Sequence, residues 1–266
     1  MNSIIKIFSE MHPDAGQLGI CRLGQHSFLL KLGEILIAAD PFLSPLPGRL
    51  VPSPLRPDEL SGVDIILGSH DHIDHIDRET LAGIAKASPS SLLVVPESVR
   101  PALDCFPSAR LIGLDDSAEL SLCGLTITGI ASAHEELVRD ADGHYPNLGY
   151  IIQGNGVTIY HSGDCCPYDG LSEKLAPFNC DVLLLPINGR DAERFSRGIL
   201  GNMNCGEAAE LAGKLRCPLT IPGHYDMFAG NTENPFLFTD CMKARYPELG
   251  TMVLEPGEVR LLTLCR

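Results

Sequence analysis

Ser69-His70-Asp71-His72-Ile73-Asp74-His75-Ile76-Asp77 places three histidines and three aspartates within nine residues. It follows Asp64-Ile65-Ile66-Leu67-Gly68, an apolar run that reads as a short buried strand. It precedes a segment of helical character over 78–87, for which Asp77 is a ready N-cap. Imidazoles and carboxylates gathered where a strand ends mark a site and not a core. In extended chain alternate residues share a side, so His70 and His72 can meet one ion. Asp74 and His75, where the chain turns towards the helix, can reach a second. This donor set suits Zn, Mn or Fe. The chain holds nine histidines in 266 residues, so three within six positions are a poor match to a chance histidine-rich loop.

Upstream, strands are expected over 18–23 and 27–32, with Gly24 between them, and over 34–40 after a turn at Gly33. They suggest an antiparallel meander. Residues 41–57 carry Pro41, Pro45, Pro47, Pro52, Pro54 and Pro57 and read as a long irregular loop stiffened by proline. Downstream, a strand over 92–95, a short helix over 98–105 and a strand over 109–114 are expected. A hairpin over 119–131 then delivers His134. Strands over 149–153 and 157–161 pair across Gly154-Asn155-Gly156 and lead to Asp164. Beyond them the pattern predicts a helix over 170–176, a buried strand over 181–187 and a Gly/Asn/Arg-rich loop over 188–204. Helix 205–215, strand 219–222 leading to His224, helix 235–246 and strands over 252–255 and 259–262 close the chain. His134, Asp164 and His224 each follow an apolar strand, and α/β sheets collect their sites at the carboxyl ends of strands. No break in composition marks a linker, so one domain spans 1–266. Two mixed sheets packed face to face, with helices outside, would bury this many apolar strands.

Composition narrows the function. Hydrophobic residues make up 44% of the chain, enough for a sizeable core. The formal charge is −14, with 34 acidic against 20 basic residues, which repels nucleic acid. None of the ten cysteines has C-x-x-C spacing, and free thiols in a reducing cytosol are expected. No apolar run is long enough to cross a bilayer, so no membrane partner is expected and the location is expected to be cytoplasmic. His12, His26, His144, His161, Cys165 and Cys166 are assigned no role.

His70-x-His72-x-Asp74-His75, then His134, Ser162-Gly163-Asp164 and His224, resemble the metal motifs of the metallo-β-lactamase-fold hydrolases. Asp40-Pro41-Phe42-Leu43-Ser44, Leu185-Pro186-Ile187-Asn188-Gly189-Arg190, Gly201-Asn202-Met203 and His224-Tyr225-Asp226-Met227-Phe228 resemble the L-ascorbate 6-phosphate lactonase branch, as does Asn231-Thr232-Glu233-Asn234-Pro235. The resemblance implies an α/β fold, a four-layer αββα sandwich with its site along one edge of the sheets. It implies two divalent metal ions, Mn or Zn. His70, His72 and His134 would hold one and Asp74, His75 and His224 the other, with Asp164 bridging. It also implies a homo-oligomer.

Two such cations share a water and make it hydroxide near neutral pH, which attacks an acyl or phosphorus centre. Asp74 is expected to orient that nucleophile, and Asp40 and Asp71 to hold imidazole tautomers, with Asp71 a candidate acid–base group. Asn188, Arg190, Arg194, Tyr225 and Asn231 are the expected substrate-binding residues. Guanidinium groups suit bidentate binding of phosphate or carboxylate, although Arg194 and Arg197 fit an ordinary surface equally well. The expected activity is metal-dependent hydrolysis of a small anionic substrate, a sugar-phosphate lactone or ester. A phosphodiesterase or nuclease on the same centre, or a catalytically silent metal-binding protein, are the competing readings.

Overall fold

Several strands read as unbroken apolar runs because both of their faces are covered. A computed structural model, which describes residues 2–264, arranges them in two seven-stranded sheets. In the first, β1 (Gln17–Gly24), β2 (Ser27–Leu32) and β3 (Ile35–Ala39) form the antiparallel meander. Parallel strands β4 (Ile65–Leu67), β5 (Leu92–Pro96) and β6 (Leu111–Leu114) extend it. The second sheet repeats the plan. Antiparallel β7 (Glu119–Leu122), β8 (Leu125–Ala131), β9 (Leu148–Gly154) and β10 (Val157–His161) are followed by β11 (Val182–Pro186), β12 (Leu219–Gly223) and β13 (Gly250–Thr251), all parallel to β10. The last strand, β14 (Val259–Thr263), returns to the first sheet and pairs antiparallel with β1. Between β9 and β10, Asn155 and Gly156 both have left-handed backbone, as a type I′ hairpin turn requires.

Three apolar layers hold four layers of structure. Ile20, Leu30, Ile37 and Leu67 of the first sheet meet Ile127, Ile152, Ile159 and Leu184 of the second. On the outer side of the first sheet, Leu23, Leu29 and Ile66 pack on α1 (Ser3–Glu10) and α2 (Arg78–Ala87). On the outer side of the second, Ile151, Tyr160 and Leu183 pack on α3 (Leu171–Leu175), and α4 (Ala192–Ser196) follows in the chain. The α5 (Cys205–Leu215) and α6 (Pro235–Arg245) helices complete that outer layer through Ala208, Ala212, Phe238 and Met242. Neighbouring residues of β10 face opposite layers, Ile159 inward and Tyr160 outward. A one-residue slip would exchange them, so burial fixes the register and with it the place where Asp164 emerges.

Three expectations change, and one element is added. The helix expected over 98–105 shrinks to a 3₁₀ turn, Arg100–Ala102, because Pro101 lacks a backbone donor and Pro107 closes the segment. The strand expected from residue 109 starts at Leu111, after a 3₁₀ turn at Ser108–Arg110. The strand expected over 252–255 does not form; the chain pairs with β12 just before it, at Gly250–Thr251, and the Met252 N–H donates to the Thr220 carbonyl at 3.2 Å. The apolar run Ile4-Ile5-Lys6-Ile7-Phe8 is helical, capped by Asn2 and burying Ile4, Ile5 and Phe8. Among the described residues, nine cysteines are free thiols and no helix is long and apolar enough to cross a membrane.

Candidate metal centre

The parallel strands of each sheet end on the same side, and the turns that leave them converge there. After β4 the chain does not continue extended. The His72 N–H donates to the His70 carbonyl at 2.9 Å, and the N–H groups of His75 and Ile76 donate to the His72 carbonyl at 3.0 and 2.8 Å. These tight turns, and not strand alternation, bring His70 and His72 together. His70 Nε2 lies 2.9 Å from His72 Nδ1, which is 3.3 Å from His134 Nε2. Gly163, with φ +57°, lets the turn after β10 approach closely, since a Cβ there would meet the Ser69 Cβ at 2.6 Å.

Asp164, which follows that turn, faces both halves of the cluster. Its Oδ2 lies 3.7 Å from His134 Nε2 and 4.0 Å from His70 Nε2. Its Oδ1 lies 3.2 Å from both His75 Nε2 and His224 Nε2. Asp74 Oδ2 is 3.3 Å from His224 Nε2. The donors fall into two groups, His70, His72, His134 and Asp164, and Asp74, His75 and His224, each with its ligand atoms within 4.8 Å of one another. His75 Nε2 and Asp164 Oδ1 are buried and face each other, yet neither has a hydrogen-bond partner. Orphaned buried polar atoms are rare. Here they face one another as ligands around a shared cation do, so the residues fit bound metal.

The electrostatics divide in the same way. Burial drives the His70 imidazole well below its ordinary value, with His75 adding to it, and burial also lowers His134. Burial acts on His75 and His224 in the same sense, but Asp164 and Asp74 overcome it. His75 ends well above its ordinary value, and His224 is pushed up to about 9. Burial opposes ionisation of Asp74 and Asp164, and the facing imidazoles outweigh it, so both carboxyls sit below the usual range.

A second ring of groups orients the donors. Asp40 is fully buried; it accepts from the Ser69 N–H and the Ser69 hydroxyl, each at 2.7 Å, and lies 2.6 Å from His75 Nδ1. That contact leaves His75 Nε2 to face the cluster. Gln25, between β1 and β2, donates to Asp74 Oδ2 at 2.7 Å and lies 3.1 Å from His224 Nε2. The sequence reading did not include it; its one signal was a polar residue where a strand ends. Gln25, Asp40 and His224 all have left-handed backbone, with φ of +50°, +44° and +56°. Strain of this kind in non-glycine residues gathers at functional sites. His26 also lies closer than expected. Its ring is buried 4.4 Å from that of His161, and neither of its nitrogens has a partner.

The structure separates other expected residues from the centre. Asp71 turns to solvent and pairs with Arg78 at 2.9 Å, so it orients no imidazole. Arg190 forms a two-pronged pair with Glu207, at 2.6 and 2.7 Å. Arg194 pairs with Asp191 and donates to the Thr232 carbonyl. Tyr225 is buried 4.2 Å beneath the Arg22 guanidinium. Asn231 does reach the centre. A cleft of about 240 Å³ is lined by His72, Asp74, His134, Asp164 and His224 together with Gly198, Ile199, Leu200, Phe228 and Asn231. Asn188 stands behind it, donating to Asn231 Oδ1 at 2.8 Å and accepting from Asn202 at 3.1 Å. A larger apolar groove of about 1270 Å³ lies between the proline-rich loop and α2, away from these donors.

Fold and site together are those of the metallo-β-lactamase architecture, and the chain belongs to the beta-lactamase superfamily, whose domain model matches residues 35–225. The curated relatives it resembles are described as metal-dependent hydrolases. It is 27% identical over 240 residues to a UPF0173 metal-dependent hydrolase of Archaeoglobus fulgidus, covering 89% of this chain and 95% of that one. A relative of the same description from Pyrococcus furiosus is 28% identical over 242 residues, covering 89% and 96%. Among solved structures, Igni18, a metallo hydrolase of Ignicoccus hospitalis, superposes with a TM-score of 0.72 at 22% identity, over 92% of this chain and 98% of that one. CmlA, a diiron β-hydroxylase of Streptomyces venezuelae, gives 0.71 at 16%, over 95% of this chain and 55% of its own. At these identities the structural likeness speaks for the fold.

Proposed function

We propose that the chain hydrolyses a carboxylic ester or lactone of a small molecule in the cleft above the two donor groups. The observation that carries this reading is the Asp164 carboxylate, which turns one oxygen to each group. The motifs shared with the lactonase branch favour an acyl centre over a phosphodiester, and the charge of −14 disfavours a polynucleotide. When bound, two divalent cations would supply Lewis acidity towards the acyl oxygen and make water a nucleophile near neutral pH.

The chain's own groups do the positioning. Asp74, which accepts from Gln25 at 2.7 Å and lies 3.3 Å from His224 Nε2, would orient the attacking water. Asp40 holds His75 in one tautomer. Asn231, its Oδ1 engaged by Asn188, keeps its NH₂ group to donate to a substrate oxygen. In balance, the water oxygen joins the carbonyl carbon and the acyl C–O bond breaks. One proton goes to the departing alkoxide oxygen, and the acid releases the other.

The finer expectation, a phosphorylated sugar lactone, keeps its acyl half. Its anionic half loses support, because Arg190 and Arg194 are engaged by Glu207 and Asp191. The test is a screen of esters and lactones with protein loaded separately with Mn and Zn, beside Asp164→Ala. Turnover that needs metal and disappears in the variant is expected. Metal-loaded protein inert towards every acyl substrate would sink the reading.

A further inference from the structure

Apart from the metal donors, the cleft is lined by Gly198, Ile199, Leu200, Phe228 and Asn231: hydrocarbon, one backbone turn and one amide. No lysine or arginine is among its lining residues. The arm over 188–204 carries Arg194 and Arg197, but their guanidinium groups turn onto the carbonyls of Thr232 and Ala229. There they pin the arm and do not serve the cleft. The stems of the arm are tied together, with the Gly189 N–H donating to the Met203 carbonyl at 3.0 Å and the Asn202 N–H to the Gly189 carbonyl at 3.2 Å. Its return limb is fastened near His134, because the Gly201 N–H donates to Glu135 Oε1 at 2.9 Å. Ile199 and Leu200 therefore stand at a set place relative to the donors. Leu200 remains 42% exposed, and Ile73, between the candidate ligands His72 and Asp74, 51%. Leu200 is contiguous with Ile199 and Phe228 in the lining of the cleft, and a continuous apolar surface of that kind is where a ligand's hydrocarbon is buried.

We infer that this wall is an acyl- or alkyl-binding subsite, and that the substrate carries an uncharged hydrocarbon or aryl group lying on Ile199, Leu200 and Phe228. The inference rests on the hydrolase reading for its chemistry. A charged group in that place would lose water against hydrocarbon without a counter-charge, beside a net-acidic chain. An apolar group gains from each methylene removed from water. The cleft, at about 240 Å³, lies below the usual range for drug-sized ligands, so the group is short.

The experiment compares kcat/KM of metal-loaded protein on γ-butyrolactone, γ-hexalactone, γ-octalactone and a γ-octalactone bearing a terminal carboxylate. In parallel, calorimetry follows the binding of acetate, butyrate and hexanoate. A rise of about fourfold per buried methylene is expected in both series, with the carboxylated lactone at least tenfold below its neutral parent, as roughly expected for an unpaired charge against hydrocarbon. Leu200→Asn should flatten both slopes, and Phe228→Ala gives a second check should the first variant fold poorly. Turnover indifferent to chain length, or preference for the carboxylated lactone, overturns the inference. No turnover of any lactone, with alkanoate binding that still tightens with length and flattens in Leu200→Asn, keeps the subsite and removes the hydrolase reading instead.

Discussion

Replacing Asp40 by Ala and by Asn separates the two tasks of its carboxylate. Asp40 is fully buried and receives the Ser69 N–H and hydroxyl at 2.7 Å each, with His75 Nδ1 at 2.6 Å. Asp40→Ala leaves the buried Ser69 N–H without an acceptor, at roughly 1–3 kcal/mol, and takes one partner each from the Ser69 hydroxyl and His75 Nδ1, which still lie 3.2 Å from one another. Alanine also tolerates the φ of +44° less well than aspartate, which adds about 1 kcal/mol. The sum, about 2–4 kcal/mol, is a large share of the stability of an ordinary domain, so metal-free Asp40→Ala is expected to be strongly destabilised. Asp40→Asn keeps the shape and one acceptor oxygen but meets Ser69 and His75 with a donor on the other side. It should fold, lose roughly 1–3 kcal/mol, and bind metal 10–100-fold more weakly, as is typical when the partner of a metal-ligating histidine is removed. Urea unfolding of the metal-free proteins reads the first quantity, and competition with a chromophoric chelator reads the second. Asp40→Ala within about 1 kcal/mol of the parent protein, or Asp40→Asn with unchanged metal affinity, would refute the reasoning.

Three further outcomes are expected. Gln25→Ala removes the 2.7 Å donation to Asp74 and should weaken metal binding about tenfold, the value of one charge-assisted hydrogen bond. It should also alter the visible absorption of the cobalt-substituted protein, and an unchanged spectrum would speak against a positioning role. Arg190→Ala should cost roughly 0.2–1 kcal/mol of stability and leave kcat/KM within about twofold, because its partner is the half-exposed Glu207. Burial opposes ionisation of Glu207, but Arg190 outweighs it and lowers the carboxyl below its ordinary 4.5. The pair's contribution is then present above pH 4.5 and lost as pH falls through the lowered value, so the two proteins should converge in acid unfolding. A tenfold drop in kcat/KM would return Arg190 to the site. Asp71→Ala, which removes only an exposed pair with Arg78, should leave both metal content and turnover unchanged, and a loss of either would contradict its placement in solvent.

The four-layer architecture was legible because burial on both faces writes itself into a strand as an apolar run, and β4, β10, β11 and β12 each carry one that ends in a polar site residue. The seven candidate donors, which the fold gathers into two groups, were legible for the same reason, joined to the density of histidine at 70–75. Other features escaped. The 98–105 segment has a helical composition that two prolines override. Gln25 is an unremarkable amide until the fold sets it beside Asp74, 49 positions away in the chain.

By itself, the sequence determined which side chains can ligate metal, which strands are buried and where each strand lets go of the chain. These are local properties, carried by residue type and by period. The tertiary structure alone decided which charges remain free. Arg190 looked like an anion receptor until the fold brought Glu207 to it, 17 positions away, whereas the Asp191 that engages Arg194 is a local i,i+3 partner. Asp40 and Asp71 looked like equivalent carboxylates until one was sealed beneath His75 and the other turned to water. A charge is defined by its partners, and partners far apart in sequence meet only when the chain has folded.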